Sequence, residues 1–172
     1  EDASYTYGAL LAQKLEAELF LTAASGYGIY MNNSGKTDEP MPVLYELAQP
    51  ARSKTLKWDH EKAHPNLIVI NLGTNDNAAH APADKVQEAV KAFLNRLITL
   101  HPQAKIVWTY GLMNQDYMET LRTAVEEVRK ENSQVYFVEL PSQSTFSSST
   151  GAAGHPNAET HEKTADYLYP IL

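Results

Sequence analysis

An α/β fold built on a parallel sheet with helices on both faces is what this sequence predicts, and three observations carry that prediction. Apolar runs of strand length alternate with segments of helical periodicity along most of the chain. One of those runs, Leu67-Ile68-Val69-Ile70-Asn71-Leu72, is continuously apolar and β-branched apart from Asn71, the pattern of a strand covered on both sides. It closes abruptly on Gly73-Thr74-Asn75-Asp76, so small and amide-bearing residues stand at a strand's carboxyl end, where open α/β sheets bind their ligands.

Taken in order, the elements follow from local signals. Ser4 can cap a helix over roughly 5–17, in which Tyr7, Leu10, Leu11 and Leu15 recur at helical spacing. Glu18 to Ala24 reads as a strand and runs into Ser25-Gly26-Tyr27-Gly28, where two glycines suit a tight turn or close approach to a ligand. Residues 31–66 are richer in Asn, Ser, Pro and Lys, a connector with at most short helical turns near Val43 to Ala48. After the strand at 67–72, Pro82 suits a first helical turn. Val86, Val90, Phe93, Leu94, Leu97 and Ile98 then mark one face of a helix ending before Pro102. Lys105 to Thr109 is the next strand, followed by a helix through Met118, Leu121, Val125 and Val128. Val135 to Leu140 is another strand, a Ser/Thr-rich loop spans 142–150, and a last helix starts after Pro156.

Composition bounds the function. At 172 residues the chain suits one domain, 1–172, with a single core. A net charge of −7 repels phosphate backbones and anionic membranes, which argues against a nucleic-acid partner. No stretch approaches the roughly 20 apolar residues of a membrane helix. Without cysteine there are no disulfides, thiolate nucleophiles or Cys-based zinc sites. The start, Glu1-Asp2-Ala3-Ser4, shows neither a basic nor an apolar leader segment.

Two stretches could carry chemistry. Asn75 offers a side-chain amide beyond the central strand, although Asn-Asp also serves simply to end a strand. Gly151-Ala152-Ala153-Gly154-His155-Pro156-Asn157 holds a histidine between a Gly-rich approach and a proline at a helix start, as a general base requires; a loop histidine is also often merely exposed. Tyr27, Trp58, Trp108 and Tyr110 can stack on a ligand ring or pack a core. Tyr27 and Trp58, in loops, are the better cleft candidates, and Trp108 the core residue. A rival motif, His60-Glu61-Lys62-Ala63-His64, fits the His-Glu-x-x-His pattern of zinc metallopeptidases, but Pro65 ends any helix that would align the two imidazoles.

The blocks Ala24-Ser25-Gly26, Gly73-Thr74-Asn75-Asp76 and His155-Pro156-Asn157, in that order, resemble the SGNH (GDSL-like) hydrolases. Pro42-Val43-Leu44-Tyr45-Glu46, Lys57-Trp58-Asp59 and Ile70 to Asp76 are more narrowly similar to carbohydrate esterase family 2, whose members remove acetyl groups from plant polysaccharides. The resemblance implies a three-layer α/β/α sandwich with a flavodoxin-like parallel sheet, ester hydrolysis through an acyl-serine, and acetylated oligo- or polysaccharide as substrate. It implies no cofactor and no metal, and a secreted or cell-surface setting. Gly26 would offer its N–H and Asn75 its amide to the oxyanion, His155 would be the general base, and Gly73 would allow close backbone approach. Asp76 would brace the loop.

Two departures accompany the resemblance. The family's Gly-Asp-Ser block, which carries the nucleophile on the first strand, is absent, and no serine here takes its place in the motif order. The expectation is a fragment whose first strand lies upstream of Glu1; a chain complete as it stands would be a catalytically silent, carbohydrate-binding relative. Three residues before His155, where the superfamily often has Asp, stands Ala152. A backbone carbonyl or another polar group must then orient the imidazole, giving a Ser-His dyad.

Overall fold

The computed structural model describes residues 2–172. Its elements are α1 (Tyr7–Lys14), α2 (Met41–Tyr45), β1 (Leu67–Asn71), α3 (Thr74–Ala78), α4 (Ala83–Leu100), β2 (Lys105–Tyr110), α5 (Met118–Arg129), β3 (Val135–Glu139), α6 (Gln143–Phe146) and α7 (Ala158–Leu168). The fold is of the α/β class. β1, β2 and β3 form one parallel sheet in that order, Ile70 level with Trp108 and Trp108 with Phe137. The chain divides into two compact units.

The larger unit, residues 23–110 and 116–139, contains the sheet. Val86, Val90, Phe93, Leu94 and Leu97 form the buried stripe of α4, and Leu121, Ala124, Val125 and Val128 that of α5. Both stripes join Ile70, Ile106, Trp108 and Tyr110 in one core. Trp108 is the core residue its strand position implied, and its indole N–H donates to the Leu72 carbonyl at 3.3 Å. Tyr110 is fully buried too, so it packs the interior and is no sugar platform; burial pushes its phenol up from the usual range.

Of the described residues, the smaller unit comprises 2–22, 111–115 and 140–172. In it α1 packs on α7, and the Tyr7 N–H donates to His161 Nδ1 at 3.2 Å. Thr6, not Ser4, caps α1, because its Oγ1 reaches the Ala9 N–H.

One expected element does not form. Glu18 to Ala24 has no regular secondary structure and joins no strand, and Leu19, Phe20 and Leu21 are 43%, 61% and 57% exposed. β-branched and apolar character suits a pleated surface, but a strand exists only where a neighbour takes its N–H and C=O groups. Among the described residues none does, so three strands stand where four were expected.

Candidate active site

The turn after β1 is shaped by the absence of a side chain. Gly73 has φ 121°, and a Cβ there would lie 2.7 Å from Leu121 Cδ1 and 3.1 Å from Tyr110 Cε2. Only glycine fits both the angle and the space. Gly73→Ala is therefore expected to lower stability by about 2 kcal/mol, read from urea unfolding; an unchanged midpoint would mean that Leu121 and Tyr110 yield freely. The turn opens α3, and Thr109 Oγ1 ties the strand end across to the Ile70 carbonyl at 2.9 Å.

Two neighbouring side chains of α3 then fix the loop that follows residue 24. Asn75, half-buried, donates from Nδ2 to the Tyr27 carbonyl at 3.0 Å. That uses one of its two amide hydrogens. Asp76, with no exposed surface, accepts three successive backbone N–H groups, from Ile29 at 2.8 Å, Tyr30 at 2.8 Å and Met31 at 3.0 Å. Three consecutive amides around one carboxylate make a rigid anion-binding nest. Gly28 lies directly against this carboxylate, where a Cβ would collide with Asp76 Oδ2 and the Met31 carbonyl.

The same loop carries Gly26 at φ 83°, its carbonyl accepting the Asn33 N–H at 2.8 Å. Tyr27 is half-buried against Met41, Leu44 and Leu47 of the α2 region. Trp58 is half-buried as well, and its N–H donates to the Glu46 carbonyl at 2.9 Å. Gly26, Tyr27, Gly73 and Asn75 are thus joined through short bonds and shared packing within the larger unit, with Trp58 linked through α2.

His155 belongs to the smaller unit and is exposed. Its Nδ1 lies 3.1 Å from the Ala152 carbonyl oxygen, the residue that stands where an acidic partner was absent from the sequence. With Nδ1–H donated there, Nε2 carries the free lone pair, the form a general base needs. The loop around it is held on several sides. The Gly151 N–H donates to the His155 carbonyl at 2.7 Å, and Gln143 Nε2 to the Gly154 carbonyl at 3.0 Å. Ala153 adopts φ 53°, a left-handed conformation that costs an alanine energy and persists because the surroundings dictate it. Asn157 caps α7 through Thr160 N–H at 2.9 Å, and its Nδ2 anchors the serine-rich loop at the Ser149 carbonyl, 2.8 Å away.

The His60-Glu61-x-x-His64 pattern does not align its imidazoles. Only His60 to Lys62 turn, as a single 3-10 turn, and Ala63 is already extended at φ −140°. Among the described residues no group of three or more His, Asp or Glu is placed to hold a metal ion. No helix among them is long and apolar enough to cross a membrane.

Sequence reasoning named Asp76 as a brace but not what it braces, and it missed the buried ring cluster of Tyr45, His60 and His101. His60 was singled out only as part of a metal motif with His64, and nothing local in the sequence ties it to Tyr45 or His101.

Residues 1–163 match the model of the GDSL-like Lipase/Acylhydrolase family. The chain is 29% identical over 176 residues to an acetylxylan esterase/glucomannan deacetylase of Cellvibrio japonicus, covering 99% of this chain and 48% of that protein. It is 32% identical over 175 residues to cellulase/esterase CelE of Acetivibrio thermocellus, covering 98% and 21% respectively. It thus spans about half the length of the first relative and about a fifth of the second. The solved family two carbohydrate esterase from Clostridium thermocellum, in complex with cellohexaose, superposes with a TM-score of 0.87 at 28% identity, over 99% of this chain and 54% of that one.

Proposed function

From the premise that this chain belongs to the GDSL-like lipase/acylhydrolase family, we propose that it is the acyl-transfer domain of a carbohydrate acetylesterase acting on acetylated plant polysaccharide outside the cell. The observation that carries the reading is the nest at Asp76. A fully buried carboxylate fastening three successive amides immobilises the loop of Gly26 and Tyr27 beside the Asn75 amide, and donors fixed in advance are what a developing oxyanion needs. The relatives named above, an acetylxylan esterase/glucomannan deacetylase and a cellulase/esterase, support the choice of ester and of substrate class.

In the proposed reaction a serine hydroxyl attacks the acetyl carbonyl, and His155 Nε2 takes the hydroxyl proton. The Gly26 N–H and the Asn75 amide receive the charge that forms on the carbonyl oxygen. Collapse expels the sugar oxygen, which takes the proton back from the imidazolium. Water then repeats the sequence on the acyl-serine to release acetate. The Ala152 carbonyl holds the imidazole in the required tautomer, so the serine and histidine work as a dyad. Gly73 lets the backbone approach the substrate, while Tyr27 and Trp58 offer aromatic faces to the sugar.

The test is acetate release from acetylated xylan and acetylated glucomannan by the full-length gene product. Asn75→Ala is expected to lower kcat by about 10²–10³ with little change in KM, the signature of a contact made only in the transition state. A change confined to KM would remove Asn75 from the oxyanion role. Because no Gly-Asp-Ser triplet occurs in the 172 residues, the competing reading is a carbohydrate-binding relative without turnover. Binding of cellohexaose with no acetate release from any acetylated substrate would establish it.

A further inference from the structure

Three elements of the larger unit meet at a stack of rings. Tyr45, the last residue of α2, stacks on His60 with centroids 5.0 Å apart, and His60 meets His101 edge-on at 5.9 Å. His101 caps the C-terminus of α4 and is 5% exposed; its Nε2 shares a 2.8 Å hydrogen bond with Tyr45 Oη. Phe93 of α4 closes the other side of Tyr45, edge-on at 5.6 Å. The charged neighbours are specific. Glu46 takes both Arg96 Nε at 2.8 Å and Arg96 Nη2 at 3.1 Å, and its Oε2 faces His60 Nε2 at 3.4 Å.

The cluster is built for uncharged rings at one point. His101 Nδ1 is buried with no hydrogen-bond partner among the described residues, and so is His60 Nδ1. A neutral His101 leaves one nitrogen idle; an imidazolium would put an N–H on Nδ1 with nothing to accept it. A charge on His101 would also be opposed by His60, His64 and Arg96, with only Glu61 favouring it.

We propose that Tyr45, His60 and His101 form a pH-sensitive clamp, which fastens α2 and the connector through Trp58 to α4 at neutral pH and loosens when His101 takes a proton. Burial first, and then repulsion from the neighbouring His60, His64 and Arg96 side chains, hold the His101 imidazole below its ordinary range. The sign follows. The unfolded chain binds this proton more readily than the folded one, so stability is complete above about pH 6.5 and falls as pH drops below it. The consequence reaches the loop described above, because α2 supports Tyr27, whose carbonyl holds the Asn75 amide. Acidification would therefore slacken the proposed oxyanion donors through α2 and the Tyr27 loop. This last link rests on the esterase reading; the clamp itself does not.

Thermal melts of the intact protein and of His101→Gln between about pH 8 and pH 5 read the clamp directly. The expected result is that the intact protein loses about 2–4 °C more than His101→Gln over that range. Acrylamide quenching should rise with acid only in the intact protein, and it reports Trp58 because Trp108 is wholly buried. In His60→Phe, which keeps a ring against Tyr45, the NMR midpoint of His101 should move upward as the repulsion from His60 disappears. Parallel melting curves for the intact protein and His101→Gln would overturn the proposal, as would an unmoved His101 midpoint. Should His101→Gln not fold, the His60→Phe titration decides alone. None of these readings involves ester hydrolysis, so the clamp and the esterase assignment can fail independently.

Discussion

Asp76→Ala is expected to destabilise the protein by about 3–6 kcal/mol, a large share of the roughly 5–15 kcal/mol that holds a domain folded. The reason is an asymmetry. Removing the carboxylate leaves three N–H groups without their acceptor, those of Ile29 and Met31 buried and that of Tyr30 half-buried, and each orphaned donor costs about 1–3 kcal/mol. Water cannot readily substitute at a site with no exposed surface. Asp76→Asn keeps the volume and one oxygen but turns an N–H toward donors, so its loss should be intermediate. Circular dichroism melts measure both; at roughly 2–4 °C for each kcal/mol, the alanine variant should melt about 6–24 °C below the parent. A shift of only a degree or two would mean that the 26–33 loop is held by other contacts.

His155→Ala is expected to do the opposite, removing function and sparing the fold. The side chain is exposed, and its recorded partner is the carbonyl of Ala152, so its loss should move the melting temperature by no more than about 2 °C. Acetate release by the full-length gene product should fall by at least about 10²–10⁴, the contribution of a positioned base. Full activity in this variant would refute the assignment of His155. The pair forms a control, because Asp76→Ala is expected to act through stability and His155→Ala through chemistry.

Much of this was readable before any coordinates. Val86 to Leu97 and Leu121 to Val128 bury the faces their spacing marks, and Leu67 to Asn71 is a strand within a residue of its expected limits. These signals are local, since a period of 3.6 or a short apolar run is complete within one element. The segment Glu18 to Ala24 misled for the complementary reason. Its composition is that of a strand, but pairing is supplied from elsewhere in the chain.

The site divides along the same line. The sequence by itself determined the α/β class, the helical stripes and the motif blocks around Gly26, Asn75 and His155, because each is written in residues that are neighbours along the chain. Only the tertiary structure decided what the buried polar groups hold. Asp76 finds its amides 45 to 47 residues away, and Tyr45 finds His101 at a distance of 56. A carboxylate or an imidazole does not specify its partner locally. Burial removes water as an alternative, and the partner is then whichever complementary group the folded chain has brought within about 3 Å.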